Sequence, residues 1–240
     1  MTCGMSDASP FIDAWAGDPR NIPGISNYCD RWCERCRFAA RCLSFRADTA
    51  AKRGDPPPPK PPADGIPRPW LEDAFRELSP DERNEIDAAI QRQDARVDAD
   101  PLKARAREYT ALAYPVLSAL GPILRDRQDE AVIAALEVLE HHVFLIAAKV
   151  VRALHGYHDD DYDRGDRQCD AHGSAKVARL AIQESREAWE VLAQVGRAAA
   201  DGVPKKMIEA LTALDAGIAD RFPTAMSFVR AGFDDGAGTG

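Results

Sequence analysis

The chain has 240 residues, 45% of them hydrophobic, and a formal net charge of −8 at pH 7. This length and composition favour one main folded domain with appendages. The negative charge argues against nonspecific binding of nucleic acid by the whole molecule. The start of the chain lacks the basic residues and apolar run of a signal peptide, and the longest unbroken apolar runs, such as 143–148, are too short to span a membrane. We therefore expect a cytoplasmic protein that is not inserted in a membrane, and in that compartment thiols stay reduced.

The chain order predicts four regions. Residues 1–50 form an N-terminal arm, whose first half is rich in Gly, Pro, Asp and Asn and whose second half carries most of the cysteines. Residues 51–69, AKRGDPPPPKPPADGIPRP, predict a stiff linker of polyproline type, because proline removes the N–H donor and fixes φ. Residues 70–233 have a helical pattern, and residues 234–240 predict a disordered tail.

The helical region opens with a start signal in which Ser79 is the N-cap, Pro80 lies in the first turn and Glu82 follows three residues after the serine. Apolar residues then recur at spacings of three and four between residues 102 and 123, and Pro115 is expected to kink or split that helix. Further helices are predicted over residues 129–154, 173–199, 203–219 and 223–233. The predicted fold class is all-α, a helical bundle with an N-terminal cysteine-rich metal-binding arm.

Four of the six cysteines lie within one short segment as Cys-x3-Cys-x2-Cys-x5-Cys; they are Cys29, Cys33, Cys36 and Cys42. Thiolates are soft ligands that suit zinc or iron–sulfur clusters. Structural zinc sites usually pair two tight knuckles across a longer loop, whereas this segment has a single Cys-x2-Cys. The spacing therefore predicts a [4Fe-4S] cluster on these four cysteines, with zinc as the alternative and four unligated thiols as the third reading. Trp32 and Phe38 are expected to shield the cluster.

The last three of these cysteines lie in CERCRFAARC, residues 33–42. This loop resembles the cluster loop of endonuclease III-type DNA glycosylases, WhiB-type regulators and iron–sulfur RecB-like nucleases. Those proteins hold a [4Fe-4S] cluster with Cys-x2-Cys-x5-Cys and one further cysteine, and an aromatic residue at the place of Phe38 occurs in the nucleases and WhiB proteins. The resemblance implies a cluster and no particular activity. The segment DAHGSAKVARLAI, residues 170–182, resembles part of uncharacterised bacterial helical proteins with a similar cysteine arm.

A second candidate site lies on the long helices. Helix 129–154 is apolar on two sides, which predicts that its polar stripe, with Glu137 and His141, is covered. A buried Glu–His pair forms a metal site or an acid–base pair. Glu184 is predicted to lie in the middle of an apolar face, where a carboxylate needs a partner. Its candidate partners are His141, His142, Lys149 and Arg152. Glu137, His141 and Glu184 thus form either a catalytic site or a structural ion pair.

These patterns predict an iron–sulfur protein that acts in electron transfer or redox sensing. Residues 18–53 contain eight Lys or Arg and four acids, a surplus that either offsets thiolate charge or docks an acidic or redox protein partner. Two alternatives are a structural zinc module for protein interaction and a helical metalloenzyme whose catalytic metal lies in the bundle. Whether the protein is an enzyme stays open.

Overall fold

The structure, a computed structural model, describes residues 11, 15–56, 78–126, 128–160, 162, 163, 165–195 and 202–234. Regular structure within these residues is helical, with no strand, which confirms the all-α prediction. The helices are α1 (Leu43–Arg53), α2 (Pro80–Asp98), α3 (Pro101–Arg125), α4 (Glu130–Tyr157), α5 (Asp170–Ala193) and α6 (Val203–Arg221). Two short 3-10 turns cover Ala39–Arg41 and Ala225–Ser227.

The chain divides into two compact units. The first unit contains residues 1–88 and 230–240, and the second contains residues 89–229. The predicted bundle, residues 70–233, differs from the second unit at both ends. The C-terminal boundary differs because the last turn packs on the cysteine segment. The ring of Phe233 meets the ring of Phe38 edge-on, with 5.1 Å between the ring centres.

The second unit is a four-helix bundle. Helix α3 packs on α4, α4 on α5, α5 on α6, and α6 returns to α3. Each helix buries one apolar stripe, and burial of these stripes supplies the main stabilising free energy of the bundle. The largest fully buried side chains include Trp189, Tyr109, Phe222, Leu136, Leu139 and Ile146.

Two expectations about helix starts and breaks have different outcomes. Helix α2 begins as predicted, because the Ser79 amide donates to the Glu82 carboxylate at 2.8 Å and the Glu82 amide donates to Ser79 Oγ at 3.3 Å. Helix α3, however, runs unbroken from Pro101 to Arg125 through Pro115, so of the two outcomes predicted there, a kink or a split, the split is wrong. Proline removes a single amide donor there, and packing of the helix on α4 and α6 outweighs that loss.

Three boundary predictions need correction. Helix α1 extends three residues into the predicted linker and is capped by Gly54, whose φ of 71° is the left-handed C-cap conformation. The predicted helix 223–233 contains only the 3-10 turn Ala225–Ser227, and the φ of 78° at Gly232 is incompatible with a continuing helix. The helix predicted over residues 173–199 begins at Asp170 and ends at Ala193. Residues 57–77, which include most of the predicted linker, and the tail beyond residue 234 lie outside the described residues.

Helix α4 is the one described helix that is long and apolar enough to cross a membrane by length and composition. Core helices of soluble proteins meet the same two criteria. Within the second unit, α4 contacts both α3 and α5.

Asp100 ties together three helix ends of the second unit. Its Oδ1 accepts from the Leu102 amide at 2.9 Å and so caps α3. Its Oδ2 accepts from Arg221 Nη1 at 2.6 Å, at the end of α6, and lies 3.1 Å from His158 Nε2, just after α4. The Asp100 side chain is only 3% exposed. Burial alone would raise the pKa of this carboxyl, but the hydrogen bonds from Arg221, the Leu102 amide and His158 outweigh burial and lower the pKa.

We expect Asp100→Asn to destabilise the protein at neutral pH and to reduce its sensitivity to acid. Because the folded pKa lies below that of the unfolded chain, about 3.9, ionised Asp100 stabilises the fold above that value, and the contribution is lost as pH falls through the folded pKa. Urea unfolding at pH 7 should show a loss of about 3 kcal/mol, since Arg221 is left with an unmatched charge. The difference from wild type should shrink at pH 3.

Asp160→Asn is the matched control, because Asp160 pairs with Arg96 at 3.0 Å while 73% exposed. Its effect at pH 7 should stay below about 1 kcal/mol. Equal losses in the two variants would show that Asp100 does not hold the helix ends together.

Candidate metal centre

The four clustered cysteines line one cavity of about 20 Å³ in the first unit. Each of them is partly buried and none is in a disulfide. The other walls are largely apolar and come from Ile25, Trp32, Ala39, Phe45 and Phe233, with Arg31 beside them. The sequence prediction that these thiols share one site is consistent with this arrangement.

Tight turns bring the four sulfurs around one cavity. The Asp30 carboxylate accepts from the Trp32 amide at 3.0 Å, and this local bond accompanies a left-handed φ of 64° at Arg31. The Cys36 amide donates to the Cys33 carbonyl at 3.2 Å, which closes the Cys-x2-Cys turn. The 3-10 turn Ala39–Arg41 is followed by the fourth cysteine, Cys42, which directly precedes α1.

A small apolar core lies behind the sulfurs. Phe38 is 3% exposed and packs with Ile22 and Ile25, and this cluster touches two of the cysteines. Gly232 permits the close approach of the last turn, because a Cβ there would lie 3.0 Å from Ile25 Cδ1. Trp32 lines the cavity itself, with the Arg35 guanidinium 4.0 Å above its ring. The two aromatic residues predicted to shield the site thus lie on or behind its wall.

The thiols are close enough to influence one another's ionisation. Burial, followed by charge repulsion from the nearby Cys29, Cys42, Glu34 and Cys36, raises the pKa of Cys33 to about 11. The sulfurs nevertheless do not converge on a point. Among the residues that the structure describes, no three Cys, His, Asp or Glu side chains form a group that could hold a metal ion. The predicted metal-binding character of the arm is therefore not confirmed.

Some of the basic residues of this segment have structural partners. Arg46 donates to Asn21 Oδ1 at 2.6 Å and to Asp18 Oδ2 at 2.9 Å, and so fixes the preceding turns to α1. Arg20 also donates to Asp18, and the pKa of that carboxyl is strongly lowered by the hydrogen bonds from Arg20. The exposed basic residues near the cysteines are Arg31, Arg35 and Arg37.

The predicted residues on the long helices are less buried than expected. Glu137 and His141 are half-buried, and Glu184 is 56% exposed, so the prediction of a carboxylate inside an apolar face is wrong. The buried stripe of α5 passes instead through the neighbouring Ser185, which is fully buried. On α4 the fully buried histidine is His142, the residue after His141, and its Nε2 lies 3.6 Å from Glu184 Oε2. His142 was among the partners predicted for Glu184.

A buried polar chain, which the sequence did not reveal, runs from this histidine into the core. Ser185 Oγ lies 3.4 Å from His142 Nδ1, and the Trp189 indole donates to the Tyr109 hydroxyl at 3.2 Å. Burial raises the pKa of Tyr109 to about 12, against the lowering effect of hydrogen bonds with Trp189 and Ser185. In the sequence, Tyr109 fits the apolar repeat of α3, so its hydroxyl gave no signal of a partner.

Comparison with known protein families, with curated proteins and with solved structures finds no match to this chain.

We expect Ser185→Ala to destabilise the bundle more than Glu184→Gln. The serine substitution leaves the buried Tyr109 and His142 without one hydrogen-bond partner, which costs about 1–3 kcal/mol. Glu184 is its immediate neighbour but is mostly in water, so loss of its charge should cost less than about 1 kcal/mol. Urea unfolding of both variants measures the difference, and a larger loss for Glu184→Gln would mean that the His142–Glu184 pair carries the stability of this region.

Proposed function

We propose that the protein binds a [4Fe-4S] cluster on Cys29, Cys33, Cys36 and Cys42 and acts in electron transfer or redox sensing. The observation that supports this proposal is that four thiols from a single short segment line one cavity with largely apolar walls. A reducing cytoplasm is the compartment in which such thiols would stay available for a cluster.

The donor set fits an iron–sulfur cluster chemically. All four candidate ligands are sulfurs, which iron–sulfur clusters take almost exclusively. A bound cluster would supply one-electron exchange. The contribution of the protein is the surrounding wall, because Trp32, Phe45 and Phe233 exclude water from the sulfurs and thereby influence a reduction potential.

Binding requires the four sulfurs to move closer to a common centre, and the construction of the first unit favours such an adjustment. Its described apolar clusters are small: one is built on Phe11, Ala47 and Ala50, and the other on Ile22, Ile25 and Phe38. The four cysteines lie outside the helices, and such segments move at lower cost than packed helices. In small metal-binding modules the free energy of binding also stabilises the fold.

A structural zinc ion is the second candidate. Zinc also takes four thiolates in a closed tetrahedral site, and the small cavity of about 20 Å³ favours a single ion. In that case the first unit is an interaction module without redox chemistry.

We also propose that the partner of the cysteine unit is an acidic protein. The side chains of Arg31, Arg35 and Arg37 are exposed close to the thiol cavity, where they would attract a negatively charged protein surface. A partner bound there would lie next to the cavity. We propose no catalytic role for Glu137, His141 and Glu184, because Glu184 is more than half exposed and the buried histidine is His142.

Substitution of a ligand should remove the chromophore. The protein purified without oxygen should show a broad absorption band at about 400 nm, as expected for a [4Fe-4S] cluster, and Cys29→Ala or Cys36→Ala should abolish it. Cys169→Ala is the control, because Cys169 is also a partly buried free thiol but lies in the second unit. It should keep the full band.

Retention of the band in both ligand variants would refute the assignment. A colourless wild-type protein that contains zinc would support the structural zinc site instead, since zinc has a filled d shell and does not absorb in the visible range.

A further inference from the structure

A second pocket lies within the bundle, where α4 and α6 end and α5 begins. Its volume is about 310 Å³, within the range of pockets that bind small molecules. The residues that line it include Tyr157, Tyr162, His172, Asp220, Arg221 and Thr224. None of them belongs to the cysteine unit, so the pocket is independent of the proposed cluster.

His172 is fixed at the floor of this pocket. The residue is 1% exposed, and its Nδ1 lies 2.8 Å from the Asp166 carbonyl and 3.3 Å from Cys169 Sγ. Because a carbonyl can only accept, Nδ1 carries a proton, and in the Nδ1–H tautomer Nε2 is an acceptor. The hydroxyls of Tyr162 and Thr224 lie 3.4 and 3.3 Å from Nε2. Nε2 has one lone pair, so when Tyr162 donates to it the Thr224 hydroxyl can donate to a ligand.

Arg221 supplies a second, rigidly held donor. Its Nη1 donates to the buried Asp100, and its guanidinium lies 4.6 Å from the centre of the Tyr157 ring. A guanidinium has five N–H donors in a planar fork, so the contact with Asp100 orients the group without using all of it. The neighbouring Asp220 is exposed and presents a carboxylate at the same pocket.

We propose that this pocket binds a small zwitterion of the α-amino-acid type. The ligand carboxylate would accept from Thr224 and Arg221, its ammonium group would donate to Asp220, and its side chain would lie against the tyrosine rings. The pocket lining carries one cation and one anion, and the charge of Arg221 is already balanced by Asp100. A simple anion would meet repulsion from Asp220, and a simple cation would leave the remaining N–H donors of Arg221 without an acceptor, whereas a zwitterion matches both groups.

Thermal shift assays and calorimetry on the full-length protein test this proposal. The probes are the proteinogenic L-amino acids, added singly, with acetate and ethylamine as probes that carry only one of the two charges. At least one amino acid should raise the Tm in proportion to its concentration, and neither acetate nor ethylamine should do so. No shift with any amino acid, or an equal shift with acetate or ethylamine, would overturn the proposal.

Two pairs of variants locate the binding. Thr224→Val and Asp220→Asn should each weaken the affinity for the best amino acid by about tenfold or more, since the first removes a hydrogen-bond donor to the ligand carboxylate and the second removes the charge that faces its ammonium group. Thr212→Val and Glu209→Gln are the matched controls, because both residues are exposed on α6 and neither lines the pocket. They should bind like wild type, and unchanged affinity in Thr224→Val and Asp220→Asn would also overturn the proposal.

Discussion

The bundle depends on one buried carboxylate. Asp100 caps α3, accepts a hydrogen bond from Arg221 at the end of α6 and lies against His158, which follows α4. A single side chain therefore fixes three helix ends. A buried carboxylate is costly unless its oxygens are hydrogen-bonded, and here the bonds outweigh the cost and keep the group ionised. The same contact orients Arg221 at the mouth of the pocket beside His172. Stability and the proposed binding site therefore share one ion pair.

The cysteine unit is built on a different principle. Its described apolar clusters contain few large side chains, and four thiols occupy the space that apolar side chains would fill in an ordinary core. Thiols that close together repel one another when they ionise, and this repulsion adds to the effect of burial in raising the pKa of Cys33. A bound cation or cluster would convert that repulsion into attraction, which gives this unit a physical reason to carry one.

The sequence predicted those features that depend on local or periodic signals. The capping box at Ser79 and Glu82, the apolar stripes of the helices and the shared location of the four thiols are of this kind. Predictions from the sequence were wrong where a shift of one residue along a helix decides which side chain is buried. The projection placed Glu184 inside the apolar face, but the bundle buries Ser185 and turns the glutamate outward.

Tertiary contacts account for most of the remaining differences. Packing keeps α3 continuous through Pro115. Phe233 packs on Phe38 of the cysteine segment and is not part of a last helix. The buried chain from His142 to Tyr109 joins residues from three helices. No local pattern encodes such a chain, because its members meet only after the helices have packed.

The central claim is a [4Fe-4S] cluster on the four clustered cysteines, and the most direct test is elemental analysis of the wild-type protein. Iron, acid-labile sulfide and zinc should be measured on one sample purified without oxygen. A cluster predicts about four irons and four sulfides per chain and no zinc. One zinc per chain without sulfide, or neither metal, would contradict the claim.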